Sequence, residues 1–249
     1  AKSTNGRFDV AKRQENGHVA TNGQMINAGS AHVYGDVMTN GGSVMNTNNV
    51  TGEIKNDFYQ ELFTVTAPRV TPEIGSRSAI RNGTELVARS DRPANYLVSG
   101  VSISGQSTLR VRGNADGSRT YAQLIVNGNL SVSGQGAIQL DPGVFLRIFV
   151  KGDVDVAGNG FVNPNSVLAL QLYGCDRPKG PNGEPASLGN MKIAGNGGFS
   201  GAIYAPNYLI EIKGGGNSDT VFGAVAGHLV SMTGVQGVHY DEGLADGGL

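Results

Sequence analysis

Val126-Asn127-Gly128-Asn129-Leu130-Ser131-Val132-Ser133-Gly134-Gln135-Gly136 returns 24 residues later as Val150-Lys151-Gly152-Asp153-Val154-Asp155-Val156-Ala157-Gly158-Asn159-Gly160. The ending of this stretch is an apolar residue, any residue, Gly, a small polar residue and usually another Gly. It recurs at 103–107, 193–197 and 212–216, with Met232-Thr233-Gly234 as a frayed sixth copy. Self-similarity at roughly 20 to 30 residues marks a solenoid, in which each repeat buries its apolar face only by stacking on its neighbours. Between the glycines, apolar and polar residues alternate as they do on strands with one buried face. The chain therefore reads as an all-β, single-domain β-solenoid, with regular rungs of roughly 20 to 24 residues.

Composition supports that reading and closes off others. The 39 glycines are about twice ordinary usage, and aromatic residues make up only 6% with no tryptophan, which argues against packed helices. Glycine without a three-residue period excludes collagen, and the apolar strands between glycines argue against disorder. With 19 basic and 20 acidic residues the net charge is −1, so no field draws the chain to nucleic acid or to an anionic membrane. No apolar run is long enough to span a bilayer, and none near the start resembles a signal core. The expectation is thus a cytosolic protein or the trimmed form of an exported one. A single cysteine, Cys175, has no internal disulfide partner.

Along the chain, 1–18 form a polar tail or added edge strand, and 19–242 the solenoid. Short apolar pulses between Val19 and Ile54 suggest narrow first rungs, with Asn-Gly at 22–23 and 40–41 supplying tight corners. Phe58, Tyr59, Leu62 and Phe63 are spaced for one face of a short helix over 56–63, which Asn56 or Asp57 could cap. A flank excursion then occupies the rest of 56–95, with Pro68, Pro72 and Pro93 and little periodicity. The repeat proper starts at Tyr96. Three prolines within 178–185 mark 174–190 as a loop insertion, and 243–249 are a Gly-rich tail.

The strand Val144-Phe145-Leu146-Arg147-Ile148-Phe149-Val150 places Phe145, Arg147 and Phe149 outward, so its outer face is partly apolar and needs cover. Phe58, Tyr59 and Phe63 of the expected helix are the candidates within the chain, and a neighbouring subunit is the other. These five aromatic residues form the predicted interaction flank.

Gly-Ala-Ile-Tyr-Ala-Pro-Asn at 201–207, Gly-Ala-Val at 223–225, the terminal His239-Tyr240-Asp241-Glu242, Val-Tyr-Gly-Asp-Val at 33–37 and Asn-Asp-Phe at 56–58 together touch most of the chain. In these motifs it resembles an uncharacterised C-terminal domain of bacterial surface proteins with PilX-like or pilus-assembly N-termini. That resemblance implies a surface or extracellular setting and pilus components as partners. The membrane helix typical of that family's N-terminus is not in this sequence. A second likeness, to the self-polymerising bactofilins, rests on the Val-x-Gly-Asp/Asn-apolar rungs alone and would imply a cytoplasmic polymer.

Chemistry-bearing residues are sparse. Lys151, Asp153 and Asp155 alternate along one strand, as carboxylates that hold calcium on a solenoid flank would, with a base beside them. Read plainly, they are a solvated face of mixed charge. Together with Arg110 and Arg112 they form the flank of a carbohydrate-binding or polysaccharide-cleaving alternative. The histidines at 18, 32, 228 and 239 have no metal-site spacing. His239, Tyr240, Asp241 and Glu242 are expected to cap the last rung, and Cys175 to be an exposed thiol in its loop. The leading expectation is a non-enzymatic structural protein of the bacterial surface, without a cofactor, that associates with itself, as a homo-oligomer or filament, or with pili through strand edges and the apolar flank.

Overall fold

The computed structural model describes residues 15–23, 25–27, 32–73, 78–177, 181, 186–195, 199–214, 221–233, 238–241 and 244. Residues 1–14 of the expected tail, 178–180 and 182–185 of the insertion, Glu242, and 243 and 245–249 of the terminal tail lie outside them. The chain divides into two compact units, one reaching Phe63 and including the chain end from His239, the other spanning Thr64–Val238. Both are almost entirely β, and every strand pair whose register is resolved is parallel.

The first unit contains β1 (Val19–Ala20), β2 (Met25–Asn27), β3 (Val37–Met38), β4 (Ser43–Met45) and β5 (Ile54–Lys55). Register places Val19 beside Val37 and Val37 beside Ile54, with Met25 beside Ser43 on a second side. These are the narrow rungs that the early apolar pulses predict. Their interior is small: Val37 and Thr39 are fully buried, while β1 and β5 are exposed. The hydroxyl of Thr39 is satisfied by Gly42, donating to its carbonyl at 3.0 Å.

The expected helix over 56–63 does not form. Two turns are marginal without tertiary support, and the backbone there is already committed. Asp57 bridges Asn40, the Phe58 N–H donates to Thr39 O, and Gln60 exchanges two hydrogen bonds with the Asn22 side chain. The segment is extended, leaving Tyr59 70% and Phe63 69% exposed.

The second unit is a stack of three-sided rungs. The first comprises β6 (Glu85–Val87), β7 (Ala94–Val98) and β8 (Val101–Ile103), and the next β9 (Thr108–Arg112), β10 (Thr120–Val126) and β11 (Leu130–Val132). Then follow β12 (Ala137–Leu140), β13 (Val144–Val150) and β14 (Val154–Val156), and after them β15 (Gly160–Val162), β16 (Leu170–Gly174) and β17 (Gly189–Gly195). One side is β6-β9-β12-β15. The second is β7-β10-β13-β16, and the third β8-β11-β14-β17. The long β18 (Phe199–Gly214) joins the second and third sides, pairing β16 with its first half and β17 with its second. Then β19 (Val221–Thr233) and the short β20 (Val238–His239) complete the sheet. The first side thus ends at β15, and the T-shaped contact of Phe161 with Phe199, centroids 5.3 Å apart, fills the interior where it stops.

Alternation decides which residues point inward: β13 buries Val144, Leu146, Ile148 and Val150 and turns Phe145, Arg147 and Phe149 outward. Inward residues of successive rungs form one continuous core, mostly Val, Ile, Leu and Ala with Tyr96, Phe161, Met191, Phe199 and Tyr208 among them. The opening motif behaves as its repetition implies, with Val126 beside Val150 and Leu130 beside Val154. Wide rungs begin earlier than Tyr96, since Ile80 already bridges Val101 and β6 already pairs β9. Single apolar residues there, such as Leu86, were too few to reveal the period. No helix among the described residues is long and apolar enough to cross a membrane.

Candidate functional site

The outer surface of the second side carries three rows of side chains, because parallel register stacks each outward position on its equivalent. In the first row Tyr121 lies beside Phe145, ring centroids 5.6 Å apart, and the Arg119 guanidinium sits 5.3 Å from the Phe145 centroid. The middle row is polar: Asn95, Gln123, Arg147 and Gln171. Gln123 donates to Asn95 at 2.8 Å, and the oxygen of Gln171 accepts from both Arg147 Nε and Tyr173 OH at 3.0 Å. The third row is Leu97, Ile125, Phe149 and Tyr173, the last two stacked at 4.8 Å.

A strap covers the third row. The Val65 carbonyl accepts from Asp176 N–H beyond β16, and the Glu73 N–H donates to Asn95 O on β7, so 65–73 cross the outer face from the fourth rung back to the first. Ile125 points outward, yet it is only 2% exposed. Residues 65–73 thus supply the cover that the sequence assigned to Phe58, Tyr59 and Phe63. Cys175 lies under the same strap. It is buried rather than exposed, with the Ala67 backbone at its sulfur, and burial pushes its thiol up to about 11. Such a thiol is a poor nucleophile.

The first two rows stay open and form a cleft of about 340 Å³. One wall is the turn at 90–93, fixed by ion pairs of Arg89 with Asp91 and Glu73 and of Arg92 with Glu73; the other is the 3-10 turn at Val167–Ala169. Arg89 holds the Asp91 carboxyl below the usual carboxylate range. The sequence reading placed Phe145 on an interaction flank, noted Arg147 only as outward-facing beside it, and did not single out Tyr121 or Gln123. The alternation Tyr121-Ala122-Gln123-Leu124, with alanine as an inward residue, was the available signal.

Asp153 and Asp155 serve other ends. Asp153 accepts from the Asn190 N–H at 3.0 Å and pairs with Arg177 at 3.5 Å, while Asp155 pairs with Lys192 at 3.7 Å. Arg177 also donates to Lys151 O and lies over the Tyr208 ring, whose hydroxyl donates to Val150 O and Gly152 O. Burial pushes that phenol up to about 12. Arg110 and Arg112 belong to the first side, paired with Asp141 and Glu85, so they and the aspartates of the third side do not form one flank. Among the described residues, no group of three or more His, Cys, Asp or Glu could hold a metal ion. His239 ends β20, Tyr240 follows it half-buried, and Asp241 is buried, its carbonyl accepting from Leu244 N–H. Glu242 lies outside the described residues.

These features define a parallel β-solenoid with a polar and aromatic cleft on one side. A family model described as a domain of unknown function (DUF7305) matches residues 80–247, and the chain belongs to that family. The match begins at Ile80, which bridges Val101 of β8 just ahead of the first three-sided rung. No curated protein and no solved structure matches the chain.

Proposed function

We propose that the protein is a non-enzymatic structural module of the bacterial cell surface or of an extracellular filament, associating with further copies or with pilus components through the end of its solenoid. The observation that carries this reading is the last long strand. Among the described residues, β19 pairs β18 on one side and, beyond that, only the two-residue β20. Val230, in register with fully buried Ile210, is 40% exposed, and its neighbour Leu229 is 57% exposed. Inward residues of a solenoid are buried by the following rung, so an uncovered row at the end is the surface on which another strand adds. Light scattering and electron microscopy over a range of concentrations test this. Wild type is expected to assemble with concentration, and the double variant Leu229→Lys, Val230→Lys to stay monomeric. A wild type that remains monomeric at the highest concentration reached would overturn the reading.

A further inference from the structure

We infer that the cleft over β10 and β13 binds a carboxylate-bearing sugar, a uronic acid residue of an acidic glycan. This goes beyond the structural role, and it concerns a different surface. Arg147 carries the argument. Its Nε is anchored by the Gln171 oxygen, which Tyr173 OH also holds, so the guanidinium is fixed in the cleft before any ligand arrives. Its terminal nitrogens make no ion pair among the described residues, whereas Arg89, Arg92, Arg110, Arg112 and Arg177 are each paired. Arg119, over the Phe145 ring, likewise makes no ion pair among the described residues. The one carboxylate lining the cleft, Asp91, is taken by Arg89.

What remains uncommitted suits a sugar acid. An oriented guanidinium presents paired donors that match a planar carboxylate. Gln171, only 9% exposed, lines the cleft, and its amide nitrogen has no partner among the described residues; Gln123 has donated to Asn95 and keeps its oxygen as an acceptor. The acceptor and the donor lie one rung either side of Arg147, roughly 10 Å apart, and so can meet hydroxyls at opposite ends of a ring whose carboxylate sits on the guanidinium. Tyr121, 36% exposed, supplies an apolar ring face for the C–H side of a pyranose. The cleft is at the lower end of small-ligand sites, which begin at about 300 Å³, and so takes one or two sugar rings.

A peptide is disfavoured by the floor of the cleft. β10 is paired by β7 and β13, and β13 by β10 and β16, so the backbone here is spent on the ladder and offers no edge for an added strand. Only side chains are on offer, which is the condition for recognising hydroxyls and a carboxylate rather than a main chain.

Calorimetry on the full chain, with short oligomers of galacturonate, glucuronate-containing glycan and alginate, tests the inference against neutral gluco-oligomers and tri-glutamate. At least one uronate oligomer is expected to bind, with affinity falling tenfold or more in Arg147→Gln, by less in Arg147→Lys, and severalfold in Tyr121→Ala. Neutral oligomers and tri-glutamate should bind at least tenfold more weakly. Thermal melts of the variants should match wild type, because both side chains are exposed. Absence of binding by every uronate oligomer, unchanged affinity in Arg147→Gln, or equal binding of tri-glutamate would each overturn it. Substitutions at Leu229 and Val230 should leave this binding intact, which keeps it separable from assembly.

Discussion

β3 in the first unit and β14 in the second both begin two residues after a corner glycine, in Gly35-Asp36-Val37 and Gly152-Asp153-Val154, and both corners are wired in the same way. In the narrow rungs His18 Nδ1 accepts from the Asp36 N–H, and Asp36 Oδ1 accepts from the Glu53 N–H. The wide rungs repeat this with Asn129 accepting from Asp153 N–H and Asp153 from Asn190 N–H. The interiors differ: the narrow stack fully buries Val37 and Thr39, while the wide stack buries a core running from Ile80 to Ile212. A corner ladder thus sets the stacking of rungs regardless of their width, and rung length sets how much apolar surface the stack can bury. Stability should follow the interior rather than the ladder.

The sharpest way to break this comparison is to empty one residue from each interior. Ile148→Ala is expected to cost about 2–5 kcal/mol, because the close-packed core around it cannot collapse into the gap. Val37→Ala should cost less, about 1–2 kcal/mol, since less apolar surface is lost. Urea unfolding, followed by hydrogen exchange resolved to the two units, checks both values; equal costs would show that the narrow stack is packed as well as the wide one. The corners should behave alike instead. A Cβ at Gly152 would lie 2.5 Å from the Gly128 backbone and one at Gly52 2.5 Å from the Gly35 carbonyl carbon. Gly152→Ala and Gly52→Ala are each expected to cost about 1–3 kcal/mol by forcing adjacent rungs apart, measured in the same unfolding experiment.

The smallest effect distinguishes the ladders by pH. The Glu53 N–H and then Lys55 hold the Asp36 carboxyl below its ordinary value of 3.8, with His18 adding to the field. Because the folded value is depressed, this stabilisation is fully present above the ordinary carboxylate range and is lost as pH falls through the lowered value. Exchange protection of the Glu53 amide should therefore drop in acid. Asp36→Asn should remove that dependence, as an amide oxygen keeps the acceptor without titrating. Protection that stays constant through pH 3 and below would refute the role of Asp36.

Much of this was legible beforehand because a repeat constrains local chemistry. The copies at 126–136 and 150–160 announced parallel rungs, and strict alternation in β13 told Phe145 and Arg147 from the core. The prolines at 68 and 72 pointed to a flank crossing. Asp153 reads from sequence as part of a solvated, mixed-charge face with calcium as the alternative; its partner, the Asn190 backbone, lies across an insertion whose register no local pattern reveals. For the same reason Cys175 looked exposed: its burial depends on a strap more than a hundred residues earlier in the chain.

The sequence by itself determined the strands, their corners and which residues face inward, since backbone conformation and side-chain alternation are properties of neighbouring residues. Tertiary structure alone decided what covers the outer surface. The extended state of 56–63, the strap over Ile125 and the convergence of Tyr121, Gln123, Arg147 and Gln171 around one cleft all depend on which rungs become neighbours. That is fixed by backbone groups finding partners far away in the chain, and no single stretch encodes it.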